Sequence, residues 1–259
     1  MYNRDNGPTM TVLGHPGHEL AILQSLDDLE AEVNCLTDGS GGNLESRVDF
    51  TLAALQNINA ASGPVMGTYP DKAFYADLIS GDTGHMELIA QNLVERALHL
   101  RPKVVIADRF EYFNPMHDMA NTLADIIVTS LTKAGFETVK CSFPIESAHR
   151  KSTAPVFRKR QLIPAETQRK IEAILRYKPL LHEYEWLPEA TRNEMVVSET
   201  LYEDPIRLAN IPDASDAGYS SVFYEDFGRK RQVSGLYNEI ITLDGHYRPF
   251  VRSLVSAMT

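Results

Sequence analysis

The fold is decided by "MTVLGHPGHELAILQSLDDLEA", Met10 to Ala31. Met10 to Leu13 reads as a buried strand that runs into "GHPGH", Gly14 to His18. Proline and two glycines there force a sharp turn. Leu20, Ile22, Leu23, Leu26 and Leu29 then recur at close to helical spacing. A strand, a tight turn and a helix make the first half of a parallel βαβ unit. The turn carries two histidines, His15 and His18, three positions apart.

The same alternation continues outward. "EVNCLTDGSGG" (32–42) reads as a strand ending in a glycine-rich loop. "ESRVDFTLAALQNINAA" (45–61) reads as a helix on Val48, Leu52, Leu55 and Ile58 that stops near Gly63-Pro64. "KAFYADLI" (72–79) is a weaker third strand, ending near Asp77. "HMELIAQNLVERALHL" is an amphipathic helix stopped at Arg101-Pro102, and "KVVIADRF" is a strong buried strand. "NPMHDMANTLADIIVTSLTKAG" is a helix entered from a proline turn, followed by the strand "FETVKCSF". This order predicts an α/β fold, a mostly parallel sheet with right-handed crossovers and helices on both faces. Beyond Pro144 the pattern loosens into a helix, "PAETQRKIEAILRYKPLLHEYEW", an irregular stretch, the segment "FYEDFGRKRQVSGLYNEI", and a final helix, "YRPFVRSLVSAM". The expectation is one domain over 1–259. Its core covers about 1–150, and a C-terminal lobe of about 151–259 lies on the sheet edge and over the site.

Composition bounds the function. The chain has 259 residues, 43% hydrophobic and 23% charged, a globular balance that needs no staple for stability. Two cysteines, Cys35 and Cys141, sit in strand-like apolar runs and read as buried thiols. The formal net charge of −10 is opposite to that of a general nucleic-acid binder. The one basic cluster, "FRKRQ" (157–161), reads as a solvated loop. No apolar run is long enough for a membrane span, and "MYNRDNGPTM" has no apolar signal core. The expectation is a cytoplasmic protein acting on a small molecule, with no nucleic acid and no membrane span.

In parallel α/β sheets ligands sit beyond the carboxyl ends of the strands. Three loops share that edge: His15 and His18 in the first, Thr37 to Gly42 in the second, and Asp108 to Asp118, with His117, in the third. Folding can bring the three histidines together, and three neutral imidazoles with an open position are the donor set of a catalytic zinc site. By spacing alone, His15 and His18 equally suit capping or surface roles. Glu19 and Asp118 could orient a ligand from behind. The glycines at 39, 41 and 42 suit a tight turn; no Gly-Lys-Ser/Thr follows to make a phosphate loop.

"VLGHPGHE", "LTDGSGG" and "VVIADRFEYFNPMHDMA" together resemble, in order and rough spacing, the PIG-L/LmbE-like de-N-acetylase family. In that family a strand leads into His-Pro-Asp-Asp-Glu, a Thr-Asp-Gly-type loop follows, and a later His-Pro-Asp-His opens a helix. The resemblance covers roughly the first 150 residues and implies a Rossmann-like fold. It implies His15, His18 and His117 as metal ligands, with histidine replacing aspartate at position 18. The metal would be divalent, zinc first; iron, nickel and copper accept the same donors. The resemblance also implies that Arg47 contacts substrate and that Asp77 binds sugar hydroxyls. Read from the residues alone, Arg47 is equally a helix-surface arginine and Asp77 a strand-end cap.

Three family positions have changed. The general base falls at Gly17, and the assisting histidine and aspartate fall at Asn114 and Met116. Asn114 can still donate to an oxyanion; glycine and methionine replace nothing. Candidates for the missing base are Glu19, Asp38, Asp108, Glu111, Asp118, His182 and His246, the histidines reaching over from the C-terminal lobe; Asp38 and His182 are also candidates for holding substrate. The leading expectation is a metal-dependent hydrolase acting on an N-acyl sugar or related small amide with an altered base. Two other readings stand beside it: a three-histidine metal enzyme of redox or lyase type, and a non-catalytic descendant that binds a ligand or partner.

Overall fold

In the computed structural model, the described residues are 7–41, 45–146 and 154–259. The core strands are β1 (Thr9–Leu13), β2 (Glu32–Thr37), β3 (Ala61–Tyr69), β4 (Val104–Asp108) and β5 (Val139–Phe143). Between them lie α1 (Leu23–Asp28), α2 (Val48–Leu55), α3 (Asp71–Ser80), α4 (Gly84–Leu100) and α5 (Pro115–Lys133). Then come β6 (Val156–Gln161), α6 (Pro164–Arg176), α7 (Leu181–Trp186), α8 (Glu189–Val197), β7 (Ser198–Glu203), α9 (Phe223–Val233) and α10 (Arg248–Met258).

The sheet has seven strands in the order β3-β2-β1-β4-β5-β7-β6. The first five are parallel, with Met10 opposite both Glu32 and Val105. β7 runs antiparallel to β5, and β6 antiparallel to β7. The expected α/β architecture, a largely parallel sheet between helical layers, is therefore what the chain adopts. β1 and β4 are buried along their whole length because both faces are covered. Val105 and Ala107 face a core shared with α4, α5 and α10. Val104 and Ile106 face the other core, with Leu26, Cys35 and Cys141. Both cysteines are buried and in no disulfide. No described helix is long and apolar enough to cross a membrane.

Two expectations about elements are corrected. "KAFYADLI" is not a strand: residues 72–79 lie inside α3, where Phe74 and Leu78, one turn apart, are the buried positions. The third strand is Ala61–Tyr69, in the stretch taken to end a helix. It is an outer strand, where Gly63, Pro64 and Gly67 are tolerated because one edge needs no partner, and that erases the alternation a sequence reading relies on. "FRKRQ" is not a solvated loop either. It forms most of β6, the opposite outer strand, and Arg158 and Arg160 both bond Asp28 Oδ2, at 2.7 and 3.0 Å. Charged side chains on an edge strand discourage further pairing.

The helix expected over 164–186 breaks at Tyr177. A short 3-10 turn, Lys178–Leu180, follows because Pro179 cannot continue the α-helical ladder. This turn touches the first histidine loop, as described next.

Candidate metal-binding site at the switch point

The chain leaves β1 toward β2 and β3, and after β4 it builds in the opposite direction. The switch point is between β1 and β4, where a crevice opens at the carboxyl ends of the strands. The loop after β1 carries His15 and His18, and the start of α5 carries His117. Asn114 caps α5, its Oδ1 accepting the Met116 amide at 2.8 Å, and Pro115 follows in the first turn. Gly14 allows the two loops to touch. A Cβ there would stand 3.0 Å from both Asp108 Oδ2 and the Met116 carbonyl oxygen.

The three imidazoles form one cluster. Ring centroids are 5.4 Å apart for His15 and His18, 5.3 Å for His15 and His117, and 4.5 Å for His18 and His117. Three imidazoles on one ion at the usual zinc–nitrogen distance have centroids roughly 5 Å apart, so the spacing suits a shared ion. Two rings are held from behind. Thr37 Oγ1 donates to the Gly14 carbonyl at 2.9 Å and accepts from His15 Nδ1 at 2.8 Å, which places the proton on Nδ1 and leaves Nε2 as the lone-pair nitrogen. Asp71 Oδ1 stands 3.1 Å from the same Nδ1. His18 Nδ1 bonds Asp108 Oδ2 at 2.8 Å, and that oxygen also accepts the Gly14 amide at 2.8 Å. Carboxylates behind ligand imidazoles fix the tautomer in this way. His117 Nδ1 is buried and has no hydrogen-bond partner among the described residues.

Burial, then the charge of its neighbours, holds His18 well below the ordinary imidazole pKa, and the same causes act on His117. Both rings are neutral at pH 7, the state a metal requires. Two anchored imidazoles, a third with an orphaned buried nitrogen, and the neutral state of His18 and His117 are the donor chemistry a divalent ion takes. Among the described residues, however, no three His, Cys, Asp or Glu side chains are grouped so as to hold a metal ion as they stand.

Asp108 is braced in turn. Burial raises its pKa to about 6. Asn121 Nδ2 donates to its carbonyl and to Asp204 Oδ2, both at 2.8 Å. Lys140 Nζ reaches Asn121 Oδ1 at 2.7 Å, bonds Asp125 and lies 3.3 Å from Asp204 Oδ2.

The position where the family pattern places its base is closed. Gly17 has φ +108°, and a Cβ there would lie 2.2 Å from Leu180 Cδ1. Tyr177 seals the same wall, its hydroxyl 3.0 Å from Thr51 Oγ1. Glu19 is fully buried, accepting the Gly17 amide at 2.7 Å and the Thr51 hydroxyl at 2.8 Å, and burial raises its pKa to about 7. Asp118 accepts the Glu111 and Tyr112 amides at 2.8 and 3.2 Å; Glu111 accepts the Ile145 and Glu146 amides, both at 3.1 Å. Burial raises Asp118 and Glu111 to about 8 each. These three carboxyls hold loop geometry, while Asp118 Oδ2 and Glu111 Oε1 are buried with no hydrogen-bond partner among the described residues.

The remaining candidates separate. Asp38 accepts the Ser40 amide at 2.9 Å and shapes the second loop. Arg47 lies against that loop: a Cβ on Gly39 would stand 2.4 Å from its Nε, which is buried and unpartnered among the described residues. Asp77 is on α3, not at a strand end, and its Oδ2 holds the Tyr69 hydroxyl and His85 Nδ1. His182 is exposed on α7. His246 bonds the Thr242 amide and hydroxyl through Nδ1, 3.1 Å each, inside its own turn. Asp71 and Thr37 are site residues that sequence reading missed. Asp71 follows Pro70 directly after β3, so recognising that strand would have put it on the crevice edge. Burial pushes the Asp71 pKa up, and contact with His15 more than offsets this, holding it well below the usual carboxylate range.

No family model matches the chain, and no curated protein matches it. Solved structures do. The A40926 pseudoaglycone deacetylase Dbv21 superposes with a TM-score of 0.54 at 13% identity, over 77% of this chain and 97% of its own. The zinc-inhibited form of teicoplanin deacetylase Orf2 gives 0.53 at 13%, over 75% and 97%. A deacetylase from the teicoplanin pathway, as its complex with bog, gives 0.52 at 12%, over 75% and 96%. At these identities the likeness is one of fold: the chain is built on the same α/β scaffold as the teicoplanin-type deacetylases.

Proposed function

We propose that the chain is a metal-dependent hydrolase of a small N-acyl compound, an amino-sugar amide or a relative of one. The carrying observation is the histidine cluster at the switch point, with two rings anchored through Nδ1 and the third presenting an orphaned nitrogen. His15, His18 and His117 would hold a divalent metal, zinc first, which when bound supplies a Lewis acid and a water that ionises near neutral pH. Asp108, Thr37 and Asp71 keep the rings oriented. Asn114 uses Oδ1 as a helix cap, so its Nδ2 is the atom that donates to an amide oxygen as charge develops. Arg47 orients a polar or anionic part of the substrate. No carboxylate stands at position 17, and a missing base costs about 10²–10⁴-fold in rate, so the expected hydrolase is slow.

The test is metal content by elemental mass spectrometry on tag-free protein, with His18→Ala and His117→Ala beside it, followed by an amide-hydrolysis assay. About one zinc per chain, lost in both variants, supports the reading. Iron or copper held by the same residues would move it to redox chemistry. Failure to take up any metal after zinc is added back would sink it.

A further inference from the structure

From the histidine cluster, an aromatic series leads to solvent. The Phe113 ring centroid is 6.3 Å from that of His117. Phe113 stacks on Phe223, centroids 4.4 Å apart and planes within 17°. Phe227, one turn further along α9, continues the series at 6.2 Å and 20°. The outer two rings are 46% and 40% exposed. Their position is fixed, because the Phe223 amide bonds the Tyr112 carbonyl at 2.8 Å and the Tyr219 hydroxyl bonds the Phe110 carbonyl at 3.2 Å. α9 is thus fastened to the very loop that delivers His117.

An exposed aromatic costs free energy unless something covers it, and rings prefer to stack on other planar groups. This series joins the reaction centre at one end, so what covers it is attached to the group being turned over. Arg47, on the second loop, offers a cation whose Nε has no partner among the described residues. Asp77, the acceptor expected for sugar hydroxyls, is already committed to Tyr69 and His85. We propose that Phe113, Phe223 and Phe227 form a substrate subsite for a planar ring, and that the substrate class is an N-acyl compound bearing an aromatic group and an acidic group. This rests on the histidine cluster being the reaction centre.

The experiment is binding, read by isothermal titration calorimetry on the zinc-supplemented full chain, with N-acetyl-L-phenylalanine, N-acetyl-L-alanine and N-acetylglucosamine as probes. The expected result is that the phenylalanine compound binds tightest. Phe223→Ala and Phe227→Ala should each weaken it roughly 2- to 10-fold while leaving the alanine compound unchanged; both side chains are exposed, so the fold survives. Equal binding of the two amino-acid probes, tighter binding of the sugar, or no binding of any probe overturns the proposal. So does a wild-type dimer that Phe223→Ala dissociates without altering probe binding, which would make the face an interface between copies. His117→Ala separates the two levels. Ring preference kept in a wild-type protein that takes up no metal and hydrolyses no amide would refute the reaction and spare the subsite. Hydrolysis lost in His117→Ala, with no ring preference in either protein, would refute the subsite alone.

Discussion

Placing aspartate at Gly17, where the resembling family pattern carries its base, should destabilise the protein and bring no gain in amide hydrolysis. Gly17 sits at φ +108°, a conformation that costs a non-glycine residue about 1–3 kcal/mol. Its Cβ would fall 2.2 Å from Leu180 Cδ1, so the leucine must leave its rotamer, at about 0.5–1.5 kcal/mol. The sum is about 1.5–4.5 kcal/mol before the new carboxylate is desolvated. For a chain of this length each kcal/mol lowers the melting temperature by about 2–4 °C, so Gly17→Asp should melt roughly 3–18 °C below wild type. Urea unfolding at pH 7 reads the loss directly, as a lowered midpoint at constant slope. Leu180→Ala in the same background removes the overlap but not the backbone strain. The double variant should therefore be more stable than the sum of the singles, with a coupling of about 0.5–1.5 kcal/mol. Only the double variant has room for a carboxylate, and only there should amide hydrolysis rise. A Gly17→Asp protein within about 0.5 kcal/mol of wild type, or zero coupling to Leu180, would refute the account of this wall.

Asp108→Asn keeps the size of the side chain but removes the charge behind His18. Metal affinity, measured against a chelator of known strength, should fall about 10- to 100-fold with the fold intact; unchanged affinity would mean that Asp108 only braces Gly14. Glu111 has a folded pKa of about 8 against an ordinary value near 4.5, so the fold disfavours its ionised form. Its contribution to stability is full below about pH 4.5 and is lost as pH rises toward 8. Glu111→Gln should flatten the decline in the urea midpoint between pH 5 and 8, and a parallel curve would assign that decline elsewhere. Lys140→Met leaves Asp125 and Asp204 with less compensation in a buried setting and should cost about 3 kcal/mol or more in unfolding measurements; a neutral result would show the network to be dispensable.

The strands and helices flanking the histidines were legible because burial on both faces writes β4 as the apolar run Val104 to Ala107, because Met10, Val12 and Leu13 lead into the Gly14 turn, and because Asn114-Pro115 is a helix start in residue types alone. His15, His18 and His117 could be brought together from topology plus the resemblance, since the carboxyl edge of a parallel sheet is common ground. What was illegible has a physical reason in each case. β3 is an outer strand with two glycines and a proline, so it carries no alternation, and Asp71 was lost along with it. Glu19, Glu111 and Asp118 look like free acids in a sequence, because nothing in one dimension shows main-chain amides converging on them. Leu180 lies 163 positions from Gly17, and no local pattern could announce that it fills the space of a missing side chain.

The 94 positions between Gly14 and Asp108, which share a hydrogen bond, also govern when the protein can become itself. At about 5–20 residues per second, the ribosome needs roughly 5–20 s to deliver β4 after β1 has been made. For that interval β1, every residue of which is buried in the finished fold, has β2 on one edge and nothing on the other. The newborn chain therefore passes through a stage in which its future crevice at the switch point is an open sheet edge, the kind of surface chaperones bind and neighbouring chains invade. The crevice and the vulnerability are the same place at two ages of the molecule.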